Sequence, residues 1–344
     1  MTKPLGVGVV GCGIIAKRYV GDAAAFPGWR PVACSDLDEA AAEEFAAEHG
    51  LRAETFDELL GDPEVDLVLS LTPPRVHASI AHAAFAAGKH VYTEKPLGAT
   101  AAEGRELVAD AAARGLRLGC APDTFLGSAY ETSRRLIEEG AIGTPLGATA
   151  TMLVGGPDTW HPNADMFYLA GGGPLLDIAP YYLTALVSLL GPIAAVAAFA
   201  TTPTGERVLG TGPRAGQTVR VEVPTNAAAV LQHEGGALST LSVSFEATDQ
   251  YLSGLEVYGT GGSLRLPDAN AFGGDVILRR GREEETVDVE SLGGREARGL
   301  GIDELATALA ERRPHRASGE LALHVLETAE AIVRAAERRE TVSL

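Results

Sequence analysis

An apolar run, Leu5–Val10, ends in Gly11-Cys12-Gly13-Ile14-Ile15-Ala16, and a helical stretch opens at once. Nothing else in the chain limits its fold so tightly. The first glycine permits a turn too sharp for a side chain. The second leaves the backbone bare enough for a ligand to approach, and small Ala16 lets the helix lie close to the strand. The helix start at Ile14 and Ile15 offers unpaired N–H groups and the positive end of a dipole, a natural seat for a pyrophosphate. A second apolar run, Pro31–Ser35, leads to Asp36, 25 residues after Gly11 and close to the offset of about 20 for a ribose-binding acid. A carboxylate there accepts from ribose hydroxyls and repels a 2′-phosphate, which favours NAD over NADP. The competing reading is that Asp36 caps the next helix.

The first third continues the alternation. After the helix from Ile14 to about Ala25 and helix Glu39–His49 come strand Val65–Leu71, helix His77–Ala87, strand His90–Tyr92, helix Ala101–Arg114 and strand Arg117–Cys120. Strands alternating with helices imply a parallel sheet covered on both faces, a doubly wound Rossmann domain over residues 1–122. Beyond Pro122 the pattern changes. One helix, Ser128–Glu139, ends at Gly140. Then come short runs separated by glycine turns: Gly147–Val154, Ile193–Thr201, Ala228–Gln232, Ala237–Phe245, Ser253–Tyr258, Ser263–Leu266 and Asp275–Arg279. This spacing suits a large open, mostly antiparallel sheet in an α+β domain over 123–344, with helices Leu175–Leu190, Gly301–Glu311 and Glu320–Arg338. The last helix is free to return toward the first domain. The hexapeptide PLGATA occurs at both Pro96 and Pro145, and nothing around the two copies supports an internal repeat.

Composition narrows the function class. A net charge of −18 over 344 residues repels phosphate backbones and anionic headgroups, so nucleic acid and membrane are poor partners. Cys12, Cys34 and Cys120 form an odd, scattered set that supports neither a disulfide framework nor a metal knuckle, and no metal site is expected. The long apolar stretch Leu183–Ala200 is interrupted by Gly191-Pro192, which reads as a helix stop followed by a strand. The N-terminal run goes straight into a strand with no signal-peptide pattern, so a cytoplasmic protein is expected.

The third strand ends in Leu71-Thr72-Pro73-Pro74, where open parallel sheets bind ligands. His77, just beyond, reaches cofactor or caps its helix. Glu94-Lys95-Pro96 follows the next strand. Together with the glycine turn, Thr72-Pro73…His77, Gly140-Ala141-Ile142-Gly143 and Gly171-Gly172-Gly173-Pro174-Leu175-Leu176-Asp177…Tyr181, this triad resembles the glucose–fructose oxidoreductase/inositol dehydrogenase (Gfo/Idh/MocA) family along nearly the whole chain. The resemblance implies an NAD(P)-dependent oxidoreductase that moves a hydride to or from a hydroxyl carbon of a sugar or polyol. It implies that Gly11, Gly13, Ile14, Ile15, Asp36, Leu71, Thr72, Pro73, His77, Glu94 and Lys95 serve the cofactor, and that Lys95, Asp177 and Tyr181 are catalytic and converge on the nicotinamide. Family habit further implies a homodimer or homotetramer built through the second domain's sheet.

Alcohol oxidation needs a group that removes the hydroxyl proton as hydride leaves, which suits Lys95 beside a cationic ring. Tyr181 stands where many members have histidine, so the base is open between Lys95 and Tyr181. Spaced four apart, Asp177 and Tyr181 share one face of a single helix; Tyr182 points elsewhere. Where members often carry an arginine-rich stretch, this chain has Ala121-Pro122-Asp123-Thr124-Phe125, which makes Asp123 a candidate substrate contact. Trp160 and His161 join it, since aromatics stack on sugar faces and imidazole serves hydroxyls. Two competing readings remain: an NAD-dependent glycosidase using transient sugar oxidation, and a non-catalytic cofactor-binding regulator.

Overall fold

Over residues 5–120 the chain alternates β-strand and α-helix, six strands with five helices between them. A computed structural model describes residues 3–344, without the side chains of 248–250. It divides into two units: Met1–Leu126 with Leu292–Leu323, and Gly127–Ser291 with His324–Leu344.

In the first unit β1 (Leu5–Val10), α1 (Ile14–Asp22), β2 (Trp29–Ser35) and α2 (Glu39–His49) are followed by β3 (Arg52–Ala53) and α3 (Phe56–Gly61). Then come β4 (Leu67–Ser70), α4 (His77–Ala86), β5 (His90–Thr93), α5 (Ala101–Arg114) and β6 (Leu118–Cys120). The six strands form one parallel sheet in the order β3-β2-β1-β4-β5-β6. Order reverses between β1 and β4, the switch point where such sheets open a crevice at their carboxyl ends. Helices on both faces leave β4 wholly buried, which explains its unbroken apolar run. At the carboxyl edge each loop is pinned to the neighbouring strand. Gly11 N–H donates to Ser35 O at 2.9 Å, Leu71 to Val10 at 2.8 Å, Glu94 to Ser70 at 2.9 Å and Ala121 to Thr93 at 2.9 Å.

β3 and α3 lie outside the expected elements. Thr55 caps α3 from both sides, its hydroxyl accepting from Glu58 N–H while the Glu58 side chain accepts from Thr55 N–H, a capping box legible in Thr55-Phe56-Asp57-Glu58. The first unit is completed by α9 (Leu300–Glu311), whose Asp303 carboxylate accepts from Gly28 N–H at 2.7 Å.

The second unit contains α6 (Ser128–Glu138), β7 (Pro145–Gly155), α7 (Pro174–Asp177), α8 (Ala179–Leu190), β8 (Ile193–Thr201), β9 (Glu206–Val208) and β10 (Thr218–Arg220). β11 (Asn226–His233), β12 (Leu238–Ser244), β13 (Glu246–Gly259), β14 (Ser263–Leu266), β15 (Val276–Arg280), β16 (Glu283–Val287) and β17 (Val342–Ser343) follow, and α10 (Gly319–Arg338) contributes to both units. Nine strands make one sheet, β16-β15-β14-β13-β7-β12-β11-β8-β17, antiparallel except for β7 with β12. One face packs on helix α8; the other exposes Phe199, Val230 and Leu238. Gly191, at φ 85°, ends α8, and β8 begins two residues later. No helix among the described residues is long and apolar enough to cross a membrane.

Candidate active site

The glycine turn of the first unit is shaped for a ligand. Gly11 has φ 95°, and a Cβ there would lie 3.0 Å from the Leu71 carbonyl carbon and oxygen. At Gly13 a Cβ would meet nothing within 4 Å. Gly13 is the N-cap of α1 and provides no side-chain cap, so the N–H groups of the first turn are presented toward that open space, with Ile14 exposed beside them. These features fit a dinucleotide pyrophosphate. Asp36 does not cap α2; Asp38 does, accepting from Ala40 and Ala41 N–H. The Asp36 carboxylate instead accepts from Cys12 N–H at 2.8 Å and Asp38 N–H at 3.0 Å. It is thereby fixed at the rim of the turn with acceptor capacity left for hydroxyls. Thr72 hydrogen-bonds Ser70, hydroxyl to hydroxyl, at 3.1 Å, and Pro73 is exposed.

Behind the Glu94-Lys95-Pro96 turn lies a buried polar network. Glu94 is 9% exposed; its Oε1 accepts from Tyr19 Oη at 3.0 Å and its Oε2 from Lys95 N–H at 3.0 Å. Burial, with Glu94 and Asp123 nearby, pushes the Tyr19 phenol well above its ordinary value, so it remains a donor. The fully buried Asp123 accepts from Gly299 N–H at 3.2 Å and Gly301 N–H at 2.9 Å, and pairs with Arg298 at 3.7 Å. Burial raises its carboxyl, against the pull of Arg298 and the Gly301 N–H. The expectation of Asp123 as an open substrate contact gives way to a tie that caps α9. His77, expected among the cofactor contacts, is likewise enclosed, with both ring nitrogens on backbone carbonyls. Lys95 itself is half-buried.

In the second unit Gly171 and Gly173 have φ 88° and 87°, and Gly173 N–H donates to Phe167 O at 2.7 Å. Pro174 opens α7, which ends at Asp177. The expected single helix from Leu175 to Leu190 is two helices, because Pro180 has no N–H to give Leu176 O and the ladder breaks at Ile178. Asp177 thus closes one helix and Tyr181 lies in the first turn of the next. Asp177 is half-buried and Tyr181 is 7% exposed. Tyr182 turns inward, donating to Asp268 at 2.9 Å.

Trp160 stands out at 64% exposed, edge-on to His161 at 5.4 Å; His161 in turn meets Phe167 at 5.0 Å. Its Nδ1 accepts from Asn163 N–H at 3.1 Å, so the neutral ring carries its proton on Nε2 and can donate outward. Burial lowers the imidazole while the Asp177 and Asp165 carboxylates raise it, so His161 and Asp177 share one electrostatic neighbourhood. Below this loop Tyr168 donates to Asp158 under the Arg207 guanidinium, itself paired with Glu246 at 2.6 Å.

Tyr19, Arg298 and Arg207 went unnoticed in the sequence. Tyr19 had a signal, sitting three residues from Ala16 on the buried face of α1; the arginines had none, since their partners are distant in the chain.

Comparison with known proteins agrees with this architecture. Residues 5–121 match the model of an oxidoreductase family with an NAD-binding Rossmann fold, and residues 130–265 match the GFO/IDH/MocA C-terminal domain. The chain is 29% identical to a 1,5-anhydro-D-fructose reductase of Ensifer adhaerens, over 96% of this chain and 95% of that one. It is 34% identical to a dTDP-3,4-didehydro-2,6-dideoxy-alpha-D-glucose 3-reductase of Streptomyces violaceoruber, over 83% and 79%. Among solved structures, a levoglucosan dehydrogenase in complex with NADH and L-sorbose superposes with a TM-score of 0.87 at 25% identity, covering 99% of each chain. With both family models matched in order along one chain, this protein belongs to the Gfo/Idh/MocA family of oxidoreductases and carries its NAD-binding Rossmann domain.

Proposed function

We propose that this protein is an NAD-dependent dehydrogenase or reductase acting at a hydroxyl carbon of a sugar, sugar derivative or polyol. The observation that carries the cofactor half is Asp36, anchored through Cys12 N–H at the edge of an uncapped helix N-terminus. A carboxylate at that place accepts from a ribose diol and repels a phosphate ester, so NAD is preferred to NADP. The substrate half is supported by the relatives named for anhydrofructose, levoglucosan and a nucleotide-linked deoxysugar.

Bound NAD supplies the two-electron acceptor. The chain's own residues do the rest. Leu71, Thr72 and Pro73 line the cofactor's path, and Gly11, Gly13, Ile14 and Ile15 hold its phosphates. Lys95, fixed by Glu94, or Tyr181 takes the hydroxyl proton. Asp177 and Tyr181 bind substrate hydroxyls, with the Nε2–H of His161 as a further donor and the Trp160 face as a platform for C–H groups. Assembly as a homodimer or homotetramer through the exposed sheet face is part of the same reading, supported by Phe199, Val230 and Leu238 standing 74%, 47% and 50% exposed.

The test is to incubate the protein with NAD or NADP and a panel of sugars and polyols, following NADH absorbance. Net NADH formation supports a dehydrogenase; turnover without it points to the glycosidase route. Lys95→Ala should lower kcat by roughly 10²–10⁴-fold, the usual worth of a positioned acid or base. An unchanged kcat sinks the assignment. Asp36→Ala should erode the preference for NAD.

A further inference from the structure

His77 opens α4 yet is 1% exposed. Its Nδ1 lies 2.9 Å from the Pro96 carbonyl oxygen and its Nε2 lies 2.8 Å from the Thr72 carbonyl oxygen. A carbonyl oxygen only accepts, so each contact requires an N–H from the ring. Neutral imidazole has one. Its other nitrogen would then point a lone pair at an oxygen lone pair, at hydrogen-bond distance and away from water. His233 shows the contrast: its Nδ1 faces the Gly191 carbonyl, but its Nε2 faces the Ser239 hydroxyl, which can donate, and a neutral ring suffices.

We propose that His77 is a positioning residue held as an imidazolium, a two-donor clasp joining the Thr72 loop to the Glu94-Lys95-Pro96 turn. The loop and the turn follow adjacent parallel strands, β4 and β5, and each carries residues assigned above to the cofactor or the proton; the inference rests on that reading. The forces on the ring oppose one another. Burial pushes the imidazole below its ordinary value, against the two carbonyls and the carboxylates of Glu94, on the clasped turn, and Glu103, on α5. The N-terminal end of its own helix also disfavours a cation, and two cations lie on the clasped segments, Arg75 two residues before it and Lys95 next to Pro96. Burial is the largest of these and leaves the imidazole below its ordinary value; the geometry argues the other way, because only the protonated ring can make both charge-assisted hydrogen bonds. The clasp is whole below the imidazole's own pKa in the fold and loses one of its two links as pH rises through it. Release of the Pro96 link would leave Lys95 without an anchor on the far side of Pro96 while Glu94 still holds its N–H.

The experiment uses the intact protein labelled with ¹⁵N-histidine. Long-range proton–nitrogen correlations are recorded from about pH 5 to about pH 9, the span in which imidazoles titrate, with the His77 ring assigned through contacts to Thr72 and Pro96 protons. NAD binding is measured in the same samples by protein fluorescence. Both His77 nitrogens protonated at pH 7 is the expected result, while His233 shows one bare nitrogen. A bare nitrogen on His77 at pH 7 overturns the clasp. Protonated nitrogens in a protein that binds no NAD would leave the clasp standing and defeat the cofactor reading instead. In turnover, His77→Asn, which cannot reach both carbonyls, should lower kcat at least tenfold with little change in the sugar KM. It should also lose the decline in kcat that the parent shows as pH rises through the imidazole's pKa. A variant with parental kcat and parental pH profile overturns the positioning role, and the spectra of the unsubstituted protein decide the matter if that variant does not fold.

Discussion

The turn that carries Lys95 and the loop that carries Trp160 and His161 are built on opposite plans. The turn is held from several sides: Tyr19 and Lys95 N–H on Glu94, His77 on Pro96 O, and Asp123 with Arg298 behind. In the loop Trp160 stands out from the surface beside the half-buried His161, whose ring is braced by edge contacts and one N–H from the backbone. A group that must meet a reacting proton is useful only if its position is set beforehand. Groups that discriminate among sugars gain from standing in the open, where their replacement changes specificity without changing the fold. Substitutions behind the turn should therefore cost stability and turnover together, whereas substitutions in the loop should change KM alone.

The largest effect is expected at Asp123. Asp123→Ala removes the buried carboxylate that faces Arg298 and takes two backbone N–H groups at the start of α9 from their acceptor. Breaking a buried ion pair from one side costs about 3–5 kcal/mol, read as a lower urea midpoint at unchanged slope. Asp123→Asn, which retains an acceptor oxygen for Gly299 and Gly301, should recover part of it. A midpoint within error of the parent for Asp123→Ala would make the network ornamental. Gly11→Ala comes next. At φ 95° with the Leu71 carbonyl 3.0 Å from its Cβ, an alanine is strained by about 1–3 kcal/mol. The shift this forces falls on the turn, so NAD affinity measured by calorimetry should drop at least tenfold, which is about 1.4 kcal/mol.

How far the sequence foretold this contrast depends on the range of the interactions. Five of the six Rossmann strands and the two turns that follow them at Gly11 and Glu94 were legible because their signals are local: a glycine turn after an apolar run, a carboxylate at a fixed offset, a triad after a strand. The enclosing residues were not, because a partner far along the chain leaves no local trace; Asp123 looked like an open polar residue until Gly299, Gly301 and Arg298 came back to cover it. The two copies of Pro-Leu-Gly-Ala-Thr-Ala make the point within one molecule. The copy at Pro96 is a bent turn leading into α5, and the copy at Pro145 is the start of β7, so tertiary context overrides identical local preference. The single helix expected across Asp177 and Tyr181 failed for a reason that was legible, since Pro180 cannot donate to Leu176.

A middle-sized effect sharpens the comparison inside the turn. Tyr19→Phe removes one donor from a carboxylate that is 9% exposed. Leaving a buried acceptor unmet costs about 1–3 kcal/mol, and the lower part of that range is expected because Lys95 N–H still serves Oε2. If turn geometry is what Tyr19 contributes, kcat should fall with sugar KM nearly constant. A loss of stability with parental kcat would reduce the residue to core packing.

The smallest stability effect, and the sharpest test of the loop, belongs to Trp160. At 64% exposed it has little burial to lose, so Trp160→Ala should leave the unfolding midpoint within about 0.5 kcal/mol of the parent. Stacking on a sugar face is worth about 0.5–1.5 kcal/mol, so the sugar KM should rise roughly twofold to tenfold while kcat and the NAD KM stay put. Trp160→Phe retains a ring with less area and should fall between. The ordering Trp, Phe, Ala in KM separates a platform from a prop, because a prop for His161 would act through the imidazole and show itself in kcat and in the pH profile. Were Trp160→Ala to lower stability and kcat together, the loop would be built like the turn, and the division between a fixed chemical half and an adaptable recognition half would fail.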